Sequence, residues 1–248
     1  SAIITGGASG LGAAVARRLA AASVQVSIFD TNADQGRVFA EQIGGRFYAV
    51  DVSDAASVSQ GMAAVKSAQG GLDVLVNCAG IGPAAKTVSR GMPHDPALFT
   101  KVVGINLTGS FICASQAAAL MQERPADTPD GERGVIVHTA SVAAYEGQMG
   151  QAAYAASKGG IVGMTLPMAR DLAASGIRVC AIAPGLFLTP LLAGLPEEVQ
   201  SSLGQQVPFP PRLGDPDEFA ATACHIMENR MLNGEVIRLD GAIRMAPR

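Results

Sequence analysis

In the stretch QAAYAASKGG, residues 151–160, Tyr154 and Lys158 are the only ionisable side chains among small neighbours. On a helix, residues four apart lie on one face, so phenol and ammonium point the same way. Such a pair can move a proton to or from a substrate oxygen. A free phenol titrates at about 10, so using it as a base near neutral pH needs about 4 kcal/mol. A cation about 4 Å away at an effective dielectric of about 20 supplies roughly that. Ser141, 13 residues before Tyr154, follows the apolar run GVIVHT at 134–139. It falls just past a strand's carboxyl end, where open α/β sheets bind ligands, and can hydrogen-bond the oxygen that Tyr154 serves. The same spacing also fits an amphipathic surface pair, so the chemistry needs support from elsewhere in the chain.

That support is at the N-terminus. TGGASGLG, residues 5–12, follows an apolar run and opens a helical pattern. Gly6, Gly10 and Gly12 permit a tight turn and close backbone approach to a pyrophosphate at a helix N-terminus. The next apolar run leads into Asp30, 18 residues past Gly12, where a carboxylate can accept hydrogen bonds from an adenosine ribose. It also repels a 2′-phosphate, and neither Ser9 nor Thr31 offers a compensating cation. NAD(H) is therefore expected over NADP(H). The plainer alternatives are a strand-helix turn without ligand and Asp30 as a helix cap.

The elements that must position these groups are legible as alternation. Apolar runs of strand length occur at 2–5, 24–29, 46–50, 72–77, 134–139, 177–182 and 235–239, with helical periodicity between them. Most are continuous, as in a parallel sheet covered on both faces. The expectation is a single doubly wound α/β domain over residues 1–248. Two segments break the rhythm: the polar, Pro-rich 123–133, and 186–214, which joins Leu and Phe to five prolines and reads as a substrate lid.

Composition excludes some partners. With 18 Lys+Arg against 21 Asp+Glu and no basic run, neither nucleic acid nor an anionic membrane is an expected partner. No run approaches the ~18 apolar residues of a membrane span. Cys78, Cys113, Cys180 and Cys224 lack metal-ligand spacing, so no metal site is expected. They read as reduced thiols of a cytoplasmic setting, or of the mitochondrial matrix if a leader was removed.

Taken together, TGxxxGxG at 5–12, NCAG at 77–80, Asn106, Ser141, Tyr154 with Lys158, and PG at 184–185 resemble the classical short-chain dehydrogenases over essentially the whole chain. The resemblance implies a seven-stranded Rossmann-type parallel sheet and a homotetramer. It places Ser9, Leu11, Ala79, Tyr154, Lys158, Pro184 and Gly185 in the cofactor set. Asp51 and Val52 would contact adenine, and Asn77 and Gly80 would line the adenosine side. Asn106 would hold a water in a proton relay with Lys158, and Ile182, Leu186 and Thr189 would surround the nicotinamide. The small residues beside Tyr154 and Lys158 would let nicotinamide and substrate lie against the helix.

Longer stretches, among them APGLFLTPLLAGLPE and NGEVIRLDGAIRM, are similar to the type II 3-hydroxyacyl-CoA dehydrogenases. That subgroup implies reversible NAD-dependent oxidation of (3S)-3-hydroxyacyl-CoA, with Gln148 helping to bind the substrate oxygen alongside Ser141, Tyr154 and Leu186. His138 stands where asparagine is expected and reads as packing. The rival readings are an NAD-dependent dehydrogenase of hydroxysteroids or other secondary alcohols, and a non-catalytic NAD-binding sensor or scaffold. Tyr145, with no cation four residues on, reads as pocket lining or packing, and the C-terminal RLDGAIRMAPR as docking on its own core or on a neighbour.

Overall fold

The computed structural model describes residues 1–126 and 128–247; Asp127, within the polar 123–133 stretch, and Arg248 lie outside it. All seven apolar runs become strands of one parallel sheet: β1 Ala2–Thr5, β2 Val26–Asp30, β3 Arg46–Ala49, β4 Val74–Asn77, β7 Gly134–Thr139, β8 Ile177–Pro184 and β9 Val236–Leu239. Their order is β3-β2-β1-β4-β7-β8-β9. The chain winds one way from β1 through β3 and the other way from β4 onward. A crevice therefore opens at the carboxyl ends of β1 and β4, where the direction reverses.

Helices cover both faces, which is why β1, β7 and β8 are buried along their whole length. On one face lie α1 Gly10–Ala21, α2 Ala33–Gln42 and α10 Pro216–Glu228, whose Val15, Leu19, Phe39, Phe219 and Ile226 pack on Ile4, Ile28 and Val137. On the other lie α3 Ala55–Gln69, α5 Ser110–Gln122 and α7 Ala152–Ala173, meeting Ile3, Leu75 and Ile136. Side-chain caps mark where helices begin: Asn32 accepts from the Gln35 amide, and Asp215 and Glu218 form a reciprocal capping box. A two-strand hairpin, β5 Val88–Ser89 and β6 Met92–Pro93, projects after β4.

Two expectations need correction. First, α4 Pro96–Val103, a π-helical turn Gly104–Gly109 and α5 run as one 27-residue helix, long and apolar enough by length and composition to cross a membrane. Lys101, Asn106 and scattered Ser and Thr interrupt its apolar run in the sequence. Here it packs on α3 and α7 and carries Asn106 inward. Second, 186–214 is not a bare loop, since it contains α8 Pro190–Ala193 and α9 Glu197–Gly204. Its base is pinned by bonds between Leu188 and Gly214 and between Gly214 and Leu186. Phe187 is buried edge-on to Phe219, whereas Leu188 and Phe209 are exposed. The 123–133 stretch is held by Glu132, whose carboxylate meets buried Arg178 at 2.8 Å.

Candidate active site

The one-turn helix α6 Ala143–Glu146 follows β7 and leads into α7, folding Ser141 back over Tyr154. The Ser141 hydroxyl accepts the Ala143 amide at 3.1 Å and lies close enough to the Tyr154 phenol to lower its pKa. Lys158 is buried, donates to the Thr139 carbonyl at 2.7 Å, and holds its Nζ 5.7 Å from the centroid of the Tyr154 ring. Burial drives the lysine pKa down to about 8. It pushes the phenol above its ordinary 10, an effect the nearby Ser141 hydroxyl only opposes. The Lys158 ammonium faces the ring and the Thr139 carbonyl and is itself desolvated, so burial works against the charged form of both groups.

Asn106, fully buried in the π-turn, bridges three elements. Its Oδ1 accepts the Ile81 amide at 2.8 Å, and its Nδ2 donates to the Ile81 carbonyl at 2.9 Å and to Ser157 Oγ at 3.0 Å. The amide side chain is thus occupied in tying the β4 loop to α7, and its main-chain carbonyl accepts from Ser110 Oγ. π-Turns of this kind concentrate at functional sites. The loop brings two glycines onto the reactive pair. A Cβ on Gly80 would lie 3.8 Å from Lys158 Nζ, and one on Gly82 would lie 3.4 Å from the Tyr154 ring. Gly80 therefore stands beside Asn106 and the lysine.

At the other end of the crevice, Gly6 has φ +61°, and any Cβ there would come within 2.7 Å of the Ala79 backbone. A Cβ on Gly12 would strike the Gly6 carbonyl at 2.3 Å. Only glycine permits this turn. Ser9 makes no side-chain cap, so the first amides of α1, at Gly10, Leu11 and Gly12, have no intrahelical partner and face outward as anion donors. Asp30 accepts the Ala8 and Asn32 amides at 3.1 and 3.0 Å, which fixes its carboxylate beside the glycine turn. The cap of α2 is Asn32, not Asp30. Thr189 and Pro190 lean on Gly10, so the 186–214 segment closes over the same turn. This donor set, with an acid one strand over, fits a dinucleotide.

A model described as short chain dehydrogenase matches residues 1–200. The chain belongs to the short-chain dehydrogenase family. This short-chain dehydrogenase is 53% identical over 250 residues to 3-hydroxyacyl-CoA dehydrogenase type-2 of Homo sapiens, covering 99% of this chain and 95% of that protein. It is 32% identical to a 3alpha-hydroxysteroid dehydrogenase of Mediterraneibacter gnavus, covering 98% and 96%. A crystal structure of 3-hydroxyacyl-CoA dehydrogenase type-2 from Mycobacterium avium superposes with a TM-score of 0.95 at 43% identity, over 100% of this chain and 97% of that one. The family makes the chain an oxidoreductase with a nicotinamide cofactor and a small-molecule substrate.

Within this short-chain dehydrogenase some assigned residues have other work. Asn77 is buried, taking a hydrogen bond from Thr5 and donating to the Ser110 carbonyl and to His138 Nδ1. Its side chain is used up inside the sheet instead of lining a ligand. Since Nδ1 accepts, the His138 proton sits on Nε2, which is buried without a partner. Burial, then the nearby Lys158 charge, lowers its pKa to about 4, so the ring is neutral. Ile182 is fully buried in the core. Asp51 is exposed and accepts from Ser53, while Val52 is buried against Gly109. Pro184 ends β8, Gly185 packs on Asp240, and the Leu186 carbonyl accepts the Gly214 amide.

The small residues of α7 also serve differently from expectation. Ser157 bonds Asn106 and Gly160 seats Leu107, while Gly159 and Gly163 face open space. Gly80 and Gly82 lie across the crevice from Tyr154 and Lys158. Sequence reading missed Gly82 and Ser157; the GIG that follows NCA was the available signal for the first. Gln148 donates from Nε2 to the Ala246 carbonyl at 3.0 Å, so the C-terminal segment docks on its own chain. Tyr145 is exposed beneath the Arg238 guanidinium, 5.2 Å from its ring centroid.

Proposed function

We propose that the protein interconverts (3S)-3-hydroxyacyl-CoA and 3-ketoacyl-CoA with NAD(H). The observation that carries this reading is the convergence of Ser141, Tyr154 and Lys158 at the crevice beside the glycine turn. Gly6, the α1 amides and Asp30 would hold the dinucleotide. When bound, its nicotinamide supplies the hydride donor or acceptor and, in the oxidised form, a positive charge near the phenol. Tyr154 gives its phenolic proton to the ketone oxygen in reduction and takes the hydroxyl proton in oxidation. Ser141 hydrogen-bonds that same oxygen, and the buried Lys158 ammonium favours the phenolate. The full-length relatives named for the 3-hydroxyacyl-CoA reaction support the substrate class. The proposal includes a homotetramer, supported by exposed Phe111 on α5 and Leu166 on α7, and a cytoplasmic or mitochondrial-matrix setting.

The test follows NADH absorbance with acetoacetyl-CoA, beside NADPH and beside a 3-ketosteroid. Fast turnover with acetoacetyl-CoA and NADH is expected. Turnover of the ketosteroid alone would move the assignment to the hydroxysteroid class, and tight NADH binding with no turnover would make the chain a binder.

The coenzyme choice has its own prediction. Asp30→Ala should lower kcat/KM for NADH by about 10-fold through the lost ribose contacts, and raise that for NADPH by removing a like charge about a hydrogen-bond length from the 2′-phosphate. Unchanged NADH:NADPH preference in steady-state assays would remove Asp30 from the selectivity argument.

A further inference from the structure

An ion-pair cluster that the chemistry above does not use lies directly behind Gln148. Arg238 on β9 grips Glu146 with both terminal nitrogens, at 2.8 and 3.1 Å, and Asp240 through Nε at 2.8 Å. Its Nη2 also reaches the Ile243 carbonyl at 3.1 Å. Glu146 accepts the Met245 amide at 3.2 Å, and its carboxyl is held below the ordinary carboxylate range, Arg238 being the largest cause. Two further rungs extend the contact: Gln148 Nε2 to the Ala246 carbonyl, and the Met149 amide to the Pro247 carbonyl at 3.1 Å. Residues 146–149 and 245–247 thus form a strap joined at its root by Arg238, with the more exposed Arg244 adding longer contacts to Glu146 and Asp240 at 3.4 and 3.2 Å.

The strap bears on the loop that carries Gln148, which is otherwise held by short-range bonds such as the Gln151 amide to the Gln148 carbonyl at 3.0 Å. α6 is a single turn, Gly147 and Gly150 flank Gln148 and Met149, and Gly150 has φ +85°. Beyond the strap, the Gln151 side chain holds the Gln148 amide, and the Ala85 amide donates to Gly150. Gln148 and Met149 face a cleft of about 410 Å³ shared with Lys86 and Thr87. On its far side the cluster supports Asp240, against which Gly185 packs, so Arg238 stands between the loop bearing Gln148 and the exit of β8. Isolated surface pairs hold little, but this one is bidentate, half-buried and networked.

We propose that Arg238 is a positioning residue for substrate: by clamping Glu146 to the 243–247 segment it holds Gln148 against the Ala246 carbonyl, at the edge of the cleft it shares with Lys86 and Thr87. This rests on the reading of Gln148 as a substrate contact. Arg238→Met is expected to raise KM for acetoacetyl-CoA at least about 10-fold, leaving kcat and the NADH Kd within about 2-fold. Arg238→Lys restores part of the loss, being a cation without the planar fork. Arg238→Met combined with Gln148→Ala should bind substrate no worse than Gln148→Ala alone, since both act through one contact. Additive losses, or KM, kcat and Kd all worsening with Tm, would overturn the proposal. Amide exchange at Met149 and Met245 gives a readout independent of substrate: Arg238→Met should speed both at least about 10-fold, and unchanged exchange also overturns the clamp. A wild type inactive on acetoacetyl-CoA but active on a ketosteroid would count against the substrate reading alone, and the same comparison then runs on the ketosteroid.

Discussion

Tyr154→Phe is expected to cut turnover by at least about 10³-fold in both directions while changing the NADH Kd by less than about 3-fold. The substitution removes one oxygen and keeps the ring. That ring packs beside Gly82 and under Lys158 Nζ, so the walls of the cofactor crevice stay in place. What disappears is the hydroxyl that faces Ser141. Serine cannot replace it, because its own proton is held far too tightly to be given to a carbonyl at neutral pH. The direction of the phenol's pKa adds a second readout. Burial pushes the wild-type phenol above its ordinary value, which favours the protonated form that reduction needs. Ketone reduction should therefore hold nearly level from pH 6 to 8, whereas hydroxyl oxidation, which must release a proton, should climb with pH. Steady-state NADH absorbance and a fluorescence titration of NADH measure the two sides. Retention of a tenth of the activity would remove the phenol from the chemistry, and loss of NADH binding would make Tyr154 a packing residue.

How much of this was legible in the sequence depends on the distance over which each feature is encoded. The seven strands and the glycine turn are local: continuous apolar runs and a fixed glycine spacing dictate them, and they appear where expected. The hairpin at Val88–Pro93 is local too but escaped notice, because its central pair is Arg90-Gly91, with φ of +51° and +78°, in place of the usual Asn-Gly. Gly80 and Gly82 were recognisable as glycines, yet which partner needed their space depended on α7 packing across the crevice. Asn77 was a ligand residue only by the family resemblance of NCAG; its neighbours Thr5, Ser110 and His138, from three other elements, absorb its side chain's bonding capacity. The Glu146–Arg238 clamp spans 92 residues and has no local signature at all. Electrostatics was the least legible layer. The Tyr154–Lys158 spacing was readable, but not that burial would weaken the lysine's charge and raise the phenol together.

That burial makes Lys158 costly to the fold. The ammonium titrates near 8 in the folded chain against 10.5 when free, so keeping it charged in place at pH 7 costs roughly 3 kcal/mol. Among the described residues its hydrogen bond within the chain goes to the Thr139 carbonyl, which limits the cost without removing it. Lys158→Met should then lower turnover by at least about 10²-fold while leaving Tm at pH 7 unchanged or higher, since the apolar stem is replaced and the buried charge removed. The sign of the pH dependence follows from the lowered value. Between about 8 and 10.5 the unfolded chain binds the proton that the folded chain has lost, so wild-type stability rises relative to the variant across that window. Parallel melts at pH 7 and pH 10 isolate the effect, because every other titrating group is common to both proteins. A variant that melts several degrees lower at pH 7, with the gap unchanged at pH 10, would mean that Lys158 holds the fold together. Convergence of the two curves toward alkaline pH would show instead that the site retains a destabilising charge because the proton transfer at Tyr154 requires it.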